Sequence, residues 1–158
     1  MIQATCAPRG PRLEELPELL ALLEDCALPV ADLEARHLPT FLICRDDHRL
    51  IATAALEPCG EALLLRSLAV AADYRRRGLA ARLLAALEQR VQANDHRQIF
   101  LLTTTAQAFF AARGFRLVPR AMVPAAIAAT AQFRCLCPAS AVCMVKGLDA
   151  ASAHASEA

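Results

Sequence analysis

Residues 74–81 read YRRRGLAA: three consecutive arginines, a glycine, then small residues. The eight residues before Ala71, LLLRSLAV, have the apolar run of a central strand. After the glycine, Leu79, Leu83, Leu87 and Val91 recur at i, i+4 spacing with Leu84 beside them, the stripe of an amphipathic helix. A strand, a short loop and a helix start make an anion site, because the first N–H groups of a helix lack internal partners and the dipole favours negative charge there. Gly78 lets the backbone come close to a phosphate, Ala80 leaves the first turn uncrowded, and the arginines add charge at the rim. No Gly-Lys-Ser/Thr follows and no G-x-G-x-x-G is present, so the stretch is neither a P-loop nor a dinucleotide fingerprint.

The whole-chain charge separates this run from a nucleic-acid patch. Seventeen Lys+Arg stand against sixteen Asp+Glu, a net charge of +1, and aromatic residues are 4% with no tryptophan. A nucleic-acid binder carries a basic excess and aromatic platforms, so the arginines are a local feature. The 158 residues are 56% hydrophobic, enough for one domain with a substantial core, but no run of about 18 apolar residues could span a membrane. The start, MIQATCAPRGPRLEEL, has no apolar segment of the secretory kind, and a cytoplasmic protein is expected. Seven cysteines without such a segment suggest free thiols.

Two further features could carry chemistry. Arg66 sits inside the apolar run, where an unpaired guanidinium is costly to bury. It either pairs with an acidic side chain or takes an acidic group of a ligand. Cys135, Cys137 and Cys143 form a close set with no histidine nearby. That disfavours zinc but leaves three thiolates, which is what trivalent arsenic requires. Buried free thiols are the plainer alternative for cysteines in an apolar strand.

The elements that must position these residues follow from periodicity and turn residues. Strands are expected at 2–7, 40–45, 50–56, 63–70, 98–102, 115–118 and 141–146. Helices are expected from Pro11–Arg12 onward with Leu13, Leu16, Leu20 and Leu23 on one face, then at 31–38, 79–91, 106–112 and 124–133. Asp46-Asp47 and Gly60 mark turns, and Pro17 marks the first turn of the first helix. The order is mixed α/β with a largely antiparallel front half.

Arg75, Gly78 and Ala80, directly after the strand, match the Arg-x-x-Gly-x-Ala pyrophosphate motif, and the chain resembles the GNAT N-acetyltransferase superfamily in that motif and in element order. More narrowly, LLRSLAV (64–70), LLTTTAQAFFAARGF (101–115) and VPAAIAATAQFRCLCPASAVCM (123–144) resemble bacterial arsenic-resistance N-acetyltransferases. The resemblance implies an α/β GNAT fold over 1–148, its mixed, mostly antiparallel sheet splayed between the fourth and fifth strands and flanked by helices. Residues 149–158 are expected to be a disordered tail.

It also implies acetyl-CoA as cosubstrate, with no metal, and a small-molecule primary amine as acceptor. Leu68, Ala69 and Val70 would bind the pantetheine arm; Arg75, Arg76, Arg77, Gly78, Leu79, Ala80 and Thr104 would complete the coenzyme site. The Val70 N–H would polarise the thioester carbonyl, a role worth about 3 kcal/mol. Glu57, with Glu61 second, would take the amine proton. Arg66, Thr103 and Ser140 would face the acceptor, an amino-acid-like compound such as an organoarsenical or phosphinate detoxified by acetylation. The sequence departs from the pattern at Phe110, where many GNAT enzymes carry the tyrosine that protonates the leaving thiolate. Two rival readings follow: a metalloid-binding thiol module using Cys135, Cys137 and Cys143, and an acetyl-CoA-binding domain without turnover. The alanine-rich stretch Ala125–Ala131 could support a homodimer.

Overall fold

The computed structural model describes residues 6–91, 97–136 and 139–148, with the side chains of Cys135 and Leu136 left out. The early part of the expected first strand, Cys137 and the expected tail lie outside these residues. Six strands form one mixed sheet in the order β1-β2-β3-β4-β6-β5. They are β1 (Phe41–Arg45), β2 (Leu50–Cys59), β3 (Ala62–Val70), β4 (Gln98–Thr103), β5 (Arg116–Leu117) and β6 (Val142–Gly147). Four α-helices accompany them: α1 (Leu16–Asp25), α2 (Leu79–Val91), α3 (Gln107–Ala111) and α4 (Ala125–Ala128). By contacts the chain divides into two units, one of residues up to Leu56 with Leu65–Leu87, the other of Glu57–Leu64 with residues from Glu88 on.

In the first unit, β1 and β2 pair antiparallel from Phe41↔Ala55 to Arg45↔Leu50, with a shift at Cys44/Arg45. The expected turn is built by Asp46, whose carboxylate accepts from the His48 and Arg49 N–H groups at 3.2 and 3.1 Å. The expected first strand is reduced, among the described residues, to one bridge between Arg9 and Ile43. Pro17 does stand in the first turn of α1, where its missing N–H costs nothing. The buried face of α1 is Leu19, Leu22 and Leu23, whereas Leu13 is 64% exposed. The helix begins later than its leucine spacing suggested, after a 3-10 turn at Leu13–Glu15. The second expected helix is likewise a 3-10 segment, Ala35–Thr40, around Pro39.

Two carboxylates of this first helical region tie it to the sheet. Glu15 takes a bidentate contact from Arg9 at 3.0 and 2.9 Å and a third from Arg45 at 3.1 Å. Glu18 accepts from Arg45 at 2.7 Å and from the Leu50 N–H at 2.9 Å, which occupies a strand-end donor.

In the second unit, β4 pairs along its whole length with β6, from Gln98↔Gly147 to Thr103↔Val142, and β5 adds to the far edge of β6. The parallel register of β3 with β4 covers Ala62↔Gln98 to Leu64↔Phe100, after which β3 runs on to Val70 and β4 to Thr103. This is where the splay was expected. Cys59, Ala62, Leu64, Phe100, Ile127, Cys143 and Val145 form the core here. The expected helix at 124–133 is a single turn, α4, followed by a π turn at Gln132–Leu136. Thr130 interrupts it: its hydroxyl donates to the Ile127 carbonyl at 2.7 Å and accepts from the Phe133 N–H at 3.4 Å, competing with the helical ladder. The face on which a dimer was expected is correspondingly short. No helix among the described residues is long and apolar enough to cross a membrane.

The Arg9 contact, with the Arg12 N–H and Arg45, holds the Glu15 carboxyl at about 2, down from 4.5. A carboxylate whose folded pKa is depressed stabilises the fold above its unfolded pKa and loses that contribution as pH falls through the folded one. Glu15→Gln should therefore destabilise the protein by about 2 kcal/mol at neutral pH. The gap to wild type, followed by urea unfolding, should close as pH drops from 4.5 towards 2.

Candidate active site

The site builds outward from the second half of β3. Ser67 lies inside the strand with φ +59°, a left-handed conformation costing a non-glycine residue about 1–2 kcal/mol. Such a residue kinks a strand and re-aims the backbone that follows it, here Leu68, Ala69 and Val70. No residue type in LLLRSLAV signals this kink, and the sequence reading missed it.

Beside it, Arg66 is buried, its side chain only 2% exposed, and grips Asp32 with both Nη atoms at 2.5 and 2.8 Å while Nε donates to the Ser67 hydroxyl at 3.3 Å. Of the two partners considered for Arg66, the structure shows the acidic side chain. Asp32 was not foreseen, since it stands 34 residues away in an irregular segment. Arg66 holds the Asp32 carboxyl below the ordinary range against the opposing effect of burial.

β3 ends at Val70, whose carbonyl accepts from Arg75 Nε at 3.0 Å and from the Cys26 thiol at 3.7 Å. Ala71 N–H goes back to the Ile51 carbonyl at 2.8 Å. A 3-10 turn, Ala72–Tyr74, then leads into the arginines. Arg76 and Gly78 both have positive φ, +65° and +80°. A Cβ built on Gly78 would meet no heavy atom within 4 Å, so open space lies over that backbone. Leu79 is buried and anchors the start of α2. The first ladder bond of the helix is Arg82 N–H to the Gly78 carbonyl at 3.0 Å, and by helix geometry the N–H groups of Leu79, Ala80 and Ala81 have no partner inside it. The loop thus offers a run of backbone donors, a helix N-terminus and nearby guanidinium charge. This arrangement suits a phosphate diester or pyrophosphate.

A family model described as "Acetyltransferase (GNAT) domain" matches residues 37–117, just over half the chain. The chain belongs to the GNAT acetyltransferase domain family. The GNAT chain is 36% identical over 119 residues to an amino-acid acetyltransferase of Ectopseudomonas mendocina, an alignment covering 70% of it and 27% of that relative. It spans about a quarter of the length of such curated relatives. Its fold is similar to N-acetylglutamate synthase from Neisseria gonorrhoeae complexed with coenzyme A and N-acetyl-glutamate (TM-score 0.79, 22% identity, 94% of this chain and 36% of that one). It is also similar to a GNAT-family acetyltransferase from Staphylococcus aureus Mu50 (TM-score 0.75, 15% identity, 92% and 100%).

The remaining expected site residues of the GNAT chain fall in the second unit. Glu57 is half-buried and lies within β2, which continues through Pro58 to Cys59 instead of stopping at Leu56. Thr103 closes β4; its hydroxyl accepts from the Ala106 N–H at 3.0 Å, fixing the turn that leads to α3, while Thr104 is exposed. Ser140 is exposed in a turn two residues before Val142, the partner of Thr103. Phe110 is buried, edge-on to Phe109 and Phe115 with centroids 5.1 and 5.4 Å apart. Its place is a packing position. Cys143 is buried in β6 and burial pushes its thiol up to about 11, which keeps it protonated at neutral pH. Among the described residues no group of three His, Cys, Asp or Glu side chains could hold a metal ion. Cys137 and the side chain of Cys135 lie outside them, so the three-thiol site is not seen.

Removing one partner of the Arg66–Asp32 pair strands a buried charge. Asp32→Ala should cost about 3 kcal/mol in urea unfolding, whereas the double variant Asp32→Leu/Arg66→Met should recover most of that loss.

Proposed function

We propose that this chain binds acetyl-CoA and transfers its acetyl group to the primary amine of a small, amino-acid-like molecule. The observation that carries this is the loop from β3 into α2, where Arg76 and Gly78 take positive φ, open space lies over Gly78, and the first N–H groups of α2 have no partner inside the helix. The relatives named for amino-acid acetylation support the acceptor class. An organoarsenical or phosphinate amine is a narrower member of that class and rests on the likeness of the three stretches at 64–70, 101–115 and 123–144.

In the proposed reaction the amine nitrogen attacks the thioester carbonyl carbon, the C–S bond breaks, and the coenzyme leaves as a thiolate. Leu68–Val70, aimed by the kink at Ser67, would take the pantetheine arm, and the Val70 N–H would face the oxyanion. Gly78–Ala80 with the arginines would take the pyrophosphate, joined by Thr104 on the coenzyme side. Glu57 would remove the amine proton, and Arg66, Thr103 and Ser140 would border the acceptor. Arg66 would act through its pair with Asp32, and Thr103 would do so while capping the turn. Phe110 has no proton to give, but a thiolate with a pKa near 8.5 can leave without one.

Titration calorimetry should show acetyl-CoA binding to the wild type and none to Gly78→Glu, where a carboxylate would occupy the phosphate's place. A wild type that binds nothing would overturn the proposal. A wild type that binds but releases no thiol with any amine would leave the domain without turnover, the reading that Phe110 favours.

Glu57→Gln should lower kcat by about 10- to 100-fold at neutral pH with little change in coenzyme affinity. The loss should shrink at alkaline pH, as more of the amine is already neutral. A pH-rate profile unchanged by the substitution would remove Glu57 from the role of base.

A further inference from the structure

Within the coenzyme site just proposed, on which this inference rests, the three arginines are not equivalent. Arg75 turns back towards the strand it follows, its Nε on the Val70 carbonyl at 3.0 Å and Nη2 on the Cys26 sulfur at 3.7 Å. A carbonyl at the end of a strand has lost its ladder partner, and a side-chain donor there fixes where the chain leaves the sheet.

Arg77 also turns inward. Its Nη2 donates to the Asp73 carbonyl at 3.2 Å, and its guanidinium lies 4.8 Å from the centroid of the Tyr74 ring. That ring is itself held, since the Tyr74 hydroxyl donates to Asp46 in the β1–β2 turn. Arg49 of the same turn grips Asp73 with two contacts, at 2.8 and 3.0 Å. Both arginines therefore turn a donor back onto a backbone carbonyl, of Val70 and of Asp73.

Arg76 differs from both. It is exposed, has positive φ, and among the described residues its side chain has no hydrogen-bond or ion-pair partner. A long non-glycine side chain in that conformation persists only where its surroundings impose it, and the flanking arginines supply that constraint.

We infer that Arg75 and Arg77 are positioning residues that hold the phosphate loop in shape, and that Arg76 alone supplies the run's side-chain charge to the phosphates of the coenzyme. A direct charge contact weakens with salt and accepts lysine in place of arginine. A brace that aims a guanidinium donor at a fixed internal acceptor does neither, because an ammonium lacks that planar fork and its directions.

Acetyl-CoA affinity should be measured at low and high salt on alanine and lysine variants of all three positions. Arg76→Ala should bind about tenfold more weakly at low salt and show a shallower salt dependence, with Arg76→Lys close to wild type. Arg75→Ala and Arg77→Ala should also bind more weakly, but with the wild-type salt dependence, and Arg75→Lys should not restore affinity.

A second measurement does not depend on the coenzyme. Amide exchange in the protein alone should quicken at Tyr74 and Arg82, whose N–H groups bond to Ala71 and Gly78, in Arg75→Ala and Arg77→Ala but not in Arg76→Ala. Flattened salt dependence in Arg75→Ala with rescue by Arg75→Lys and unchanged exchange would overturn the brace. Unaltered binding in Arg76→Ala would overturn the assignment of the charge. Should the wild type bind no acetyl-CoA at any salt, the proposed function and the role of Arg76 fall together, while the exchange data still decide the two braces.

Discussion

The way β3 hands the chain to α2 governs the rest of the site. A strand end leaves a carbonyl without its ladder partner, and a helix start leaves N–H groups without theirs. Here the two sets of orphans are treated differently. The Val70 carbonyl is satisfied from within, by Arg75 and Cys26, while the first N–H groups of α2 have no partner inside the helix and open space lies over Gly78. The asymmetry makes the loop a donor site rather than a neutral turn, and it explains why a phosphate-bearing ligand suits it. Strain gathers at the same place, since Ser67 and Arg76, two of the three non-glycine residues with positive φ among the described residues, lie here.

Holding that strain requires anchors on both sides. Before the kink, Arg66 is locked by Asp32 and by the Ser67 hydroxyl, a pairing that removes an otherwise prohibitive buried charge and fixes the strand as it bends. After it, the turn between β1 and β2 reaches the loop through Asp46 with Tyr74 and Arg49 with Asp73. Each exposed ion pair is worth little alone. As a connected set on a short loop they restrict its conformations, which lowers the ordering cost of binding there. The acidic residues of the first helical region act in the same way further back, where Glu15 and Glu18 gather Arg9, Arg45 and the Leu50 N–H at the end of the β1–β2 pair.

The second unit shows how family-typical positions acquire other physical duties. Phe110 packs edge-on against two phenylalanines and serves as a core residue. Thr103 uses its hydroxyl in the turn before α3, and Cys143 is a protonated core thiol.

Short-range signals fixed what could be read from the residues alone. The i, i+4 leucines located α2 to the residue at both ends, the Asp46 turn and Gly60 delimited the strands, and YRRRGLAA between a strand and a helix pointed to an anion site and to the GNAT motif. These features depend on neighbours within a few positions, and so periodicity and turn chemistry suffice to find them. Two misread elements lie where another bond competes with the local pattern: the start of α1, displaced by the turn in which Glu15 accepts from the Arg12 N–H, and the helix cut short at Thr130. Only the tertiary structure chose Asp32 as the partner of Arg66, put the kink at Ser67, and divided three identical arginines into two bonded back to backbone carbonyls and one that is not. The reason is common to all three: partner choice, strain and side-chain direction are set by groups brought close through folding, and no local pattern of residue types encodes them.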